Sequence, residues 1–264
     1  MDLGLKGKRA FVTGSTAGIG LAIAAALAKE GAAVTVNGRT KERVERAISQ
    51  VRKEAASAEV DGLAADLGTA DGCREAIKRY PNLDILVNNV GIFEAKPFEE
   101  IPDEDWIRLF EVNVLSGVRL SRHYLAGMRK RNWGRILFIS SESGLQIPVE
   151  MVHYGMTKTA QLAIARGIAE TTAGTNVTVN AVLPGPTESE GVGQFVEGLA
   201  AQKKMSREAV EKDFFQHMRP TSLLQRFERP DEIAAVVTFV ASPLASGING
   251  AAVRVEGGVV RSIG

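Results

Sequence analysis

A chain of 264 residues is long for one ordinary domain and short for two, although α/β folds often run to ~250 residues as one unit. With 45% hydrophobic and 24% charged residues, the composition excludes a disordered or fibrous protein, and a net charge of +1 gives no general attraction to nucleic acid or to an anionic membrane. The lone cysteine, Cys73, rules out an intrachain disulfide and a cysteine-based metal site, and with three scattered histidines (His123, His153, His217) no metal is expected. The N-terminal stretch lacks the apolar core of a secretory leader, and the longest apolar run, Leu21 to Ala28, is too short to span a bilayer. A soluble, cytoplasmic protein is the expectation.

The first predicted strand, Arg9–Thr13, runs into Thr13-Gly14-Ser15-Thr16-Ala17-Gly18-Ile19-Gly20 and then a helix over Ile19–Glu30 that stops at Gly31. Three glycines between a strand and a helix have mechanical uses. One lets the chain turn, one lets backbone approach a pyrophosphate, and one lets helix and sheet pack closely. The helix N-terminus then presents unpaired N–H groups to phosphate. The spacing is G-x-x-x-G-x-G, and its position after a strand is the context that points to a dinucleotide site.

The second strand, Ala33–Asn37, decides which dinucleotide. A site selective for NAD places Asp or Glu at this strand end to bind the ribose 2′-hydroxyl. Here the chain reads Asn37-Gly38-Arg39-Thr40, with no carboxylate. Arg39 can fork onto a 2′-phosphate, which favours NADP over NAD; it also fits a solvated residue at a helix start. Thr40 is an N-cap candidate for a helix to Ala56. After a third strand, Val60–Ala65, Asp66 either meets an adenine amino group or opens the next loop. A fourth strand, Ile85–Asn88, closes in Asn88-Asn89-Val90-Gly91, residues suited to tying strand ends together.

A long helix is predicted over Asp103–Arg131, with Asn113 an unfavourable residue in its middle that either bends the helix or is a tolerated polar residue. The fifth strand, Arg135–Ser140, ends in Ser140-Ser141, where a hydroxyl faces the ligand crevice of an open sheet. Ser140 is read as serving a backbone group. The next helix, Tyr154–Thr172, opens with Tyr154 and Lys158 on one face. An ammonium ~4 Å from a phenol at an effective dielectric of ~20 is worth up to ~4 kcal/mol, about three pKa units, so Lys158 is expected to draw the phenol toward neutrality. Strand Thr178–Leu183 leads into Pro184-Gly185-Pro186-Thr187, a helix is placed over Pro230–Ala241, and a last strand over Ala251–Val255.

Nearly continuous apolar strands alternating with helices predict an α/β fold, a doubly wound parallel sheet with helices on both faces. One domain over residues 1–264 is expected, with a substrate-loop insertion at about 186–229 carrying two short helical patterns (about Val192–Lys204 and Ser206–Met218). In that segment Phe195, Leu199, Met205, Phe214, Phe215 and Met218 are read as the inner face of lid helices. Lys203, Lys204, Arg207 and Arg219 are read as their solvated face, an apolar pocket with an anionic handle being the other reading. His153, Gln146 and Glu150 are further candidates for substrate contact.

Taken in order from about Lys6 to Gly258, these motifs resemble the short-chain dehydrogenase/reductase family in its short single-domain form, among them 3-oxoacyl-carrier-protein reductase-like oxidoreductases. The resemblance implies a seven-stranded Rossmann sheet, with Tyr154 as general acid/base and Lys158 lowering its pKa and holding the nicotinamide ribose. It implies Ser141 orienting the carbonyl or alcohol and Asn113 holding a relay water. Gly14, Ser15, Gly18, Ile19, Gly20, Arg39, Asp66, Leu67, Asn89, Gly91, Pro184, Gly185 and Thr187, with Tyr154 and Lys158, would form the cofactor site. Val90 departs from the usual Ala of the Asn-Asn-Ala-Gly motif. The expected function is NADP(H)-dependent interconversion of a carbonyl and a secondary alcohol. The alternative is a catalytically silent nucleotide-binding regulator or scaffold, and isomerase or dehydratase chemistry on the same scaffold stays open. The resemblance also implies a homodimer or homotetramer, with no nucleic acid or membrane partner.

Overall fold

The computed structural model describes residues 1–189, 192, 193, 196–198, 200 and 205–263. Seven parallel strands form one sheet in the order β3-β2-β1-β4-β5-β6-β7. They are β1 (Arg9–Val12), β2 (Ala33–Gly38), β3 (Val60–Ala64), β4 (Ile85–Asn88), β5 (Gly134–Ile139), β6 (Val177–Pro184) and β7 (Ala252–Val255). The chain winds outward from β1 to β3, then crosses back to β4, so the order reverses between β1 and β4. That reversal opens a crevice at the strands' C-terminal ends.

Two apolar layers cover the sheet because successive side chains alternate faces. On one face Val12, Val36, Val87 and Ile139 pack against α1 (Gly18–Lys29), α2 (Lys41–Glu54) and α8 (Pro230–Val240) through Ile23, Val44 and Ile233. On the other, Phe11, Leu86, Ile136 and Phe138 meet α3 (Ala70–Arg79), α5 (Ser116–Lys130) and α6 (Val152–Glu170) through Ala76, Leu120 and Ala165. Each large side chain fully buried there contributes about 1.5–3 kcal/mol relative to exposure. The central strands β4, β5 and β6, buried along their whole length, show this two-sided cover, while the edge strands β3 and β7 keep exposed positions.

Local signals set the helix starts. The Thr40 hydroxyl accepts from the Arg43 N–H (3.4 Å) at the head of α2. At α8 the Arg229 N–H donates to Glu232 (2.7 Å) behind Pro230. The expected helix over 103–131 is two helices, α4 (Asp103–Phe110) and α5, joined by a π turn at Glu111–Leu115 that contains Asn113. The Ser116 N–H bonds back to the Glu111 carbonyl across that wider turn. No helix among the described residues is long and apolar enough to cross a membrane.

After β6 the chain leaves the sheet. α7 (Arg207–Asp213) runs into a second π turn, Phe214–Met218. Phe214, Phe215 and Phe227 stack there with ring centroids 5.1–5.2 Å apart and pack on Val196 and Val210 in a separate small core. The first expected helical pattern, about 192–204, lies partly outside the described residues, as do Phe195, Leu199, Lys203 and Lys204.

Candidate active site

The glycine turn is held by neighbouring strands. Asn37 on β2 accepts from the Gly14 N–H (3.0 Å) and donates to the Leu63 and Ala65 carbonyls (3.1 and 3.0 Å). Asn89 donates to the carbonyls of Thr13 and Gly14 (3.0 and 2.9 Å), and the Thr13 hydroxyl accepts from the N–H groups of Asn89 and Val90 (2.8 and 3.0 Å). Asn89 thus ties the first and fourth strand ends, as expected. Gly18 has φ +54°, and a Cβ on Gly20 would lie 2.5 Å from both the Gly14 carbonyl oxygen and Asn89 Nδ2. Only glycine fits at these two positions.

These features fit a dinucleotide. α1 opens at Ala17, which provides no side-chain cap, and its first turn holds no acid, so its leading N–H groups suit a phosphate. Arg39 and Thr40 are exposed at the end of β2. Arg43, which sequence reasoning missed, returns one helical turn later, with Nε 3.4 Å from the Thr16 hydroxyl. Its signal was its spacing of four from Arg39. Thr16, Arg39, Thr40 and Arg43 thus gather where a 2′-phosphate would meet the β2 end.

Two of the expected cofactor residues turn their side chains away from the crevice. The Ser15 hydroxyl is fully buried, donates to the Val12 carbonyl (2.6 Å) and accepts from the Asn37 N–H (2.9 Å), so it pins the turn from within. Leu67 sits in the core beneath α3, leaving only its backbone to face a nucleotide. Asp66 is exposed and accepts from the Gly68 N–H (3.0 Å), which matches its role as loop opener.

A cleft of about 400 Å³ lies at the crevice. Gly18, Ile19, Gly20, Asn89 and Gly91 form one wall, and Pro184, Gly185 and Thr187 another. Ser141, Tyr154 and Lys158 meet between them, while Gly14, Ser15, Arg39, Asp66 and Leu67 lie outside this lining. Ser140 turns away, its hydroxyl donating to the Lys158 carbonyl (2.8 Å), as read from sequence.

Lys158 is buried, and Nζ donates to the Ile139 carbonyl (2.9 Å) and to Gln161 Oε1 (3.4 Å). Burial draws its pKa down to about 8, with Glu142 pulling the other way. Gln161 also donates to the Asn113 carbonyl (2.6 Å). It was missed, although it lies three residues past Lys158 on the same helix face. Asn113 Oδ1 accepts from the Ile92 N–H (2.8 Å), and Nδ2 donates to the Ile92 carbonyl and the Thr157 hydroxyl (2.9 and 3.0 Å). The π turn therefore clamps the loop following Gly91 beside Lys158.

The Tyr154 phenol departs from expectation. Burial pushes it up, and Glu142 adds to that, while the Ser141 hydroxyl and Arg219 act against it. Lys158 Nζ stands 5.5 Å from the Tyr154 ring centre and is engaged elsewhere. Desolvation outweighs the ammonium that spacing alone suggested. At neutral pH Tyr154 holds its proton.

Sequence reasoning also missed Glu142. The Ser141 hydroxyl donates to Glu142 Oε2 and accepts from the Ser143 N–H (3.1 Å). Glu142 Oε1 accepts from Arg219 Nε (3.1 Å), and Glu150 Oε1 accepts from another Arg219 nitrogen (3.1 Å). Arg219 is 7% exposed, so the expectation of a solvated charge fails there, whereas Arg207 is exposed and pairs with Glu188 (3.5 Å). The signal for Glu142 was its place beside Ser141; nothing local marks Arg219 as its partner. Phe214, Met218 and Phe227 complete this end of the cleft. Of the other candidates, Glu150 lines the cleft, Gln146 turns to Thr221 (3.5 Å), and His153 is buried edge-on against Trp106 (5.8 Å).

The short chain dehydrogenase family matches residues 8–199. The chain is 51% identical to the uncharacterized oxidoreductase YvaG of Bacillus subtilis over 263 residues, 100% of both chains. It is 34% identical to the D-beta-hydroxybutyrate dehydrogenase of Cupriavidus necator, over 97% of this chain and 99% of that one. The crystal structure of L-sorbose reductase from Gluconobacter frateurii, complexed with NADPH and L-sorbose, superposes with a TM-score of 0.93 at 30% identity over 100% of both chains. A seven-stranded parallel sheet, a glycine turn at its reversal point and these likenesses agree: the chain belongs to the short-chain dehydrogenases, an oxidoreductase family.

Proposed function

We propose that this oxidoreductase is an NADP(H)-dependent reductase of small carbonyl compounds, running the reverse oxidation of secondary alcohols through the same site. The observation that carries the reading is the convergence of Ser141, a protonated Tyr154 and Lys158 on one cleft beside the glycine turn. When bound, a nicotinamide cofactor supplies or accepts the hydride.

Tyr154 gives its phenolic proton to the substrate oxygen as that oxygen gains charge. Ser141 orients the same oxygen by donating a hydrogen bond. Lys158, held by Ile139 and Gln161, places a positive charge beneath Tyr154, where it favours the phenolate left behind. Asn113 fixes the backbone at Ile92 and braces Lys158 through Gln161. The alternative of a silent nucleotide-binding scaffold has no feature in its favour, since all four groups are present.

The NADP preference is supported by Arg39 and Arg43 around Thr16 and by the NADPH named with the L-sorbose reductase structure. Exposed Ile107 and Phe110 on α4, and Phe239 and Leu244 near β7, support assembly as a dimer or tetramer. The test is oxidation of NADPH, followed at 340 nm, across ketones, aldehydes, sugars and acyl thioesters. Tyr154→Phe is expected to lower kcat/KM by about 10²–10⁴ while NADPH still binds. Undiminished turnover in that variant overturns the assignment.

A further inference from the structure

The substrate end of the cleft carries an uneven charge balance. Two carboxylates, Glu142 and Glu150, face one guanidinium, Arg219. Arg219 Nε donates to Glu142, and Nη1 donates to Glu150 and to the Met218 carbonyl (2.8 Å). Its guanidinium also lies 5.6 Å from the Phe214 ring centre, which holds it from the α7 side. Lys158 lines the same cleft but is engaged by the Ile139 carbonyl and Gln161. Glu142 and Glu150 both line the cleft and offer a ligand carboxylate oxygen. The Glu150 side chain is 27% exposed and lines the cleft. An anionic group placed here meets two negative charges for one positive, whereas a hydroxyl finds acceptors.

Ser141 has one hydroxyl hydrogen, and the Glu142 carboxylate, which can only accept, competes for it with Tyr154 and the substrate oxygen. While Glu142 holds it, it is not donated to a carbonyl oxygen. A substrate hydroxyl next to the carbonyl, donating to Glu142 in its place, frees the Ser141 hydrogen for the reacting oxygen. Glu142 is thus a positioning residue that couples recognition of a neighbouring hydroxyl to the readiness of Ser141.

We infer that the substrate of the reaction proposed above is an uncharged polyhydroxylated ketone, or the corresponding polyol, whose hydroxyl beside the reacting carbon donates to Glu142 and whose further hydroxyls face Glu150. This rests on the reductase reading. Keto acids of the same skeleton are turned away by the paired carboxylates. Ketones without the neighbouring hydroxyl bind but react slowly, because Ser141 stays engaged with Glu142.

The test is a matched series: a ketohexose, the keto-hexonate of the same skeleton, and the analogue with hydrogen in place of the hydroxyl beside the carbonyl. Wild-type kcat/KM is expected to be at least tenfold higher for the ketohexose than for either partner. The deficit of the deoxy compound should fall mainly in kcat. In Glu142→Gln the ketohexose advantage over the deoxy compound should shrink at least fivefold. A keto-hexonate turned over as well as the ketohexose overturns the inference, and so do ratios unmoved by Glu142→Gln. An amino-ketone analogue preferred over the ketohexose overturns the hydroxyl assignment. If no ketone is reduced, the reductase reading fails by itself. Binding of the same three ligands, read by quenching of bound NADPH fluorescence, then decides the pocket. Tighter ketohexose binding keeps the inference for the pocket, and equal, reversed or absent binding overturns it.

Discussion

The two ends of the cleft are built from different materials. At the nucleotide end, the polar groups are backbone or are committed to backbone: Asn37, Asn89 and Thr13 each hold the glycine turn by bonds to main-chain atoms. Arg39 stands in solvent there, and Arg43 is half-buried against Thr16. At the substrate end, Glu142 and Arg219 are buried ions, joined across 77 residues of sequence. One end is a shape made by local chain geometry. The other is a set of side chains brought together by the tertiary fold, where a missing partner leaves a charge without water. The first tolerates loss of a charge; the second does not.

The sharpest way to break this contrast is Arg219→Ala. It leaves the buried Glu142 and the half-buried Glu150 without their guanidinium, and the expected cost is about 3–5 kcal/mol of stability. In thermal unfolding that is a fall in Tm of about 10 °C. A fall below about 2 °C would mean that the substrate end is as forgiving as the nucleotide end.

Glu228, 4% exposed, tests the boundary between the two ends. Its carboxylate accepts from the Gly185 N–H (3.0 Å) behind the cofactor wall. Burial pushes its pKa up to about 7, with Glu232, Glu256 and Glu142 adding to the effect and the Gly185 N–H opposing it. The folded chain therefore holds this proton more tightly than the unfolded one, whose carboxyl titrates near 4.5. That contribution is present in full below the unfolded value and is lost as pH rises through about 7. Glu228→Gln, neutral throughout, should gain about 2 kcal/mol at pH 8 and almost nothing at pH 4.5. Denaturant titrations at the two pH values check it; an equal effect at both would place the burden on the hydrogen bond rather than on the charge.

Arg39→Ala probes the nucleotide end alone. The KM for NADPH should rise at least tenfold, that for NADH should change little, and Tm should stay within about 1 °C. Equal effects on the two cofactors would remove Arg39 from the 2′-phosphate.

Legibility in the sequence follows the same division. Every strand was placed to within about a residue, because parallel strands covered on both faces leave unbroken apolar runs. The glycine turn, Asn89, Ser141, Tyr154 and Lys158 were readable because each sits at a strand end or at a helical spacing. α3 was not, since Gly72 and Cys73 interrupt its pattern. Yet that glycine is required there, a Cβ on it lying 2.0 Å from the Asp66 carbonyl oxygen. The bend at Asn113 was signalled by an unfavourable residue in mid-helix, but the extent of the π turn was hidden by continuous periodicity on both sides of it. The direction of the Tyr154 shift was misjudged because a spacing of four measures distance to an ammonium but not loss of water. Arg219 beside Glu142 was out of reach for a local pattern.

The excursion between β6 and α8 closes on itself at its base. The Glu188 N–H donates to the Glu228 carbonyl, and the Glu228 N–H donates to the Pro186 carbonyl, both at 2.8 Å. The chain thus exits and re-enters the sheet through a neck about one residue pair wide. Beyond such a neck, the parts of the excursion that do not pair with Glu142 and Glu150 as Arg219 does can vary without moving the sheet. A lineage can lengthen, shorten or rewrite those parts, and with them the clientele of the enzyme, while the redox centre below keeps its geometry.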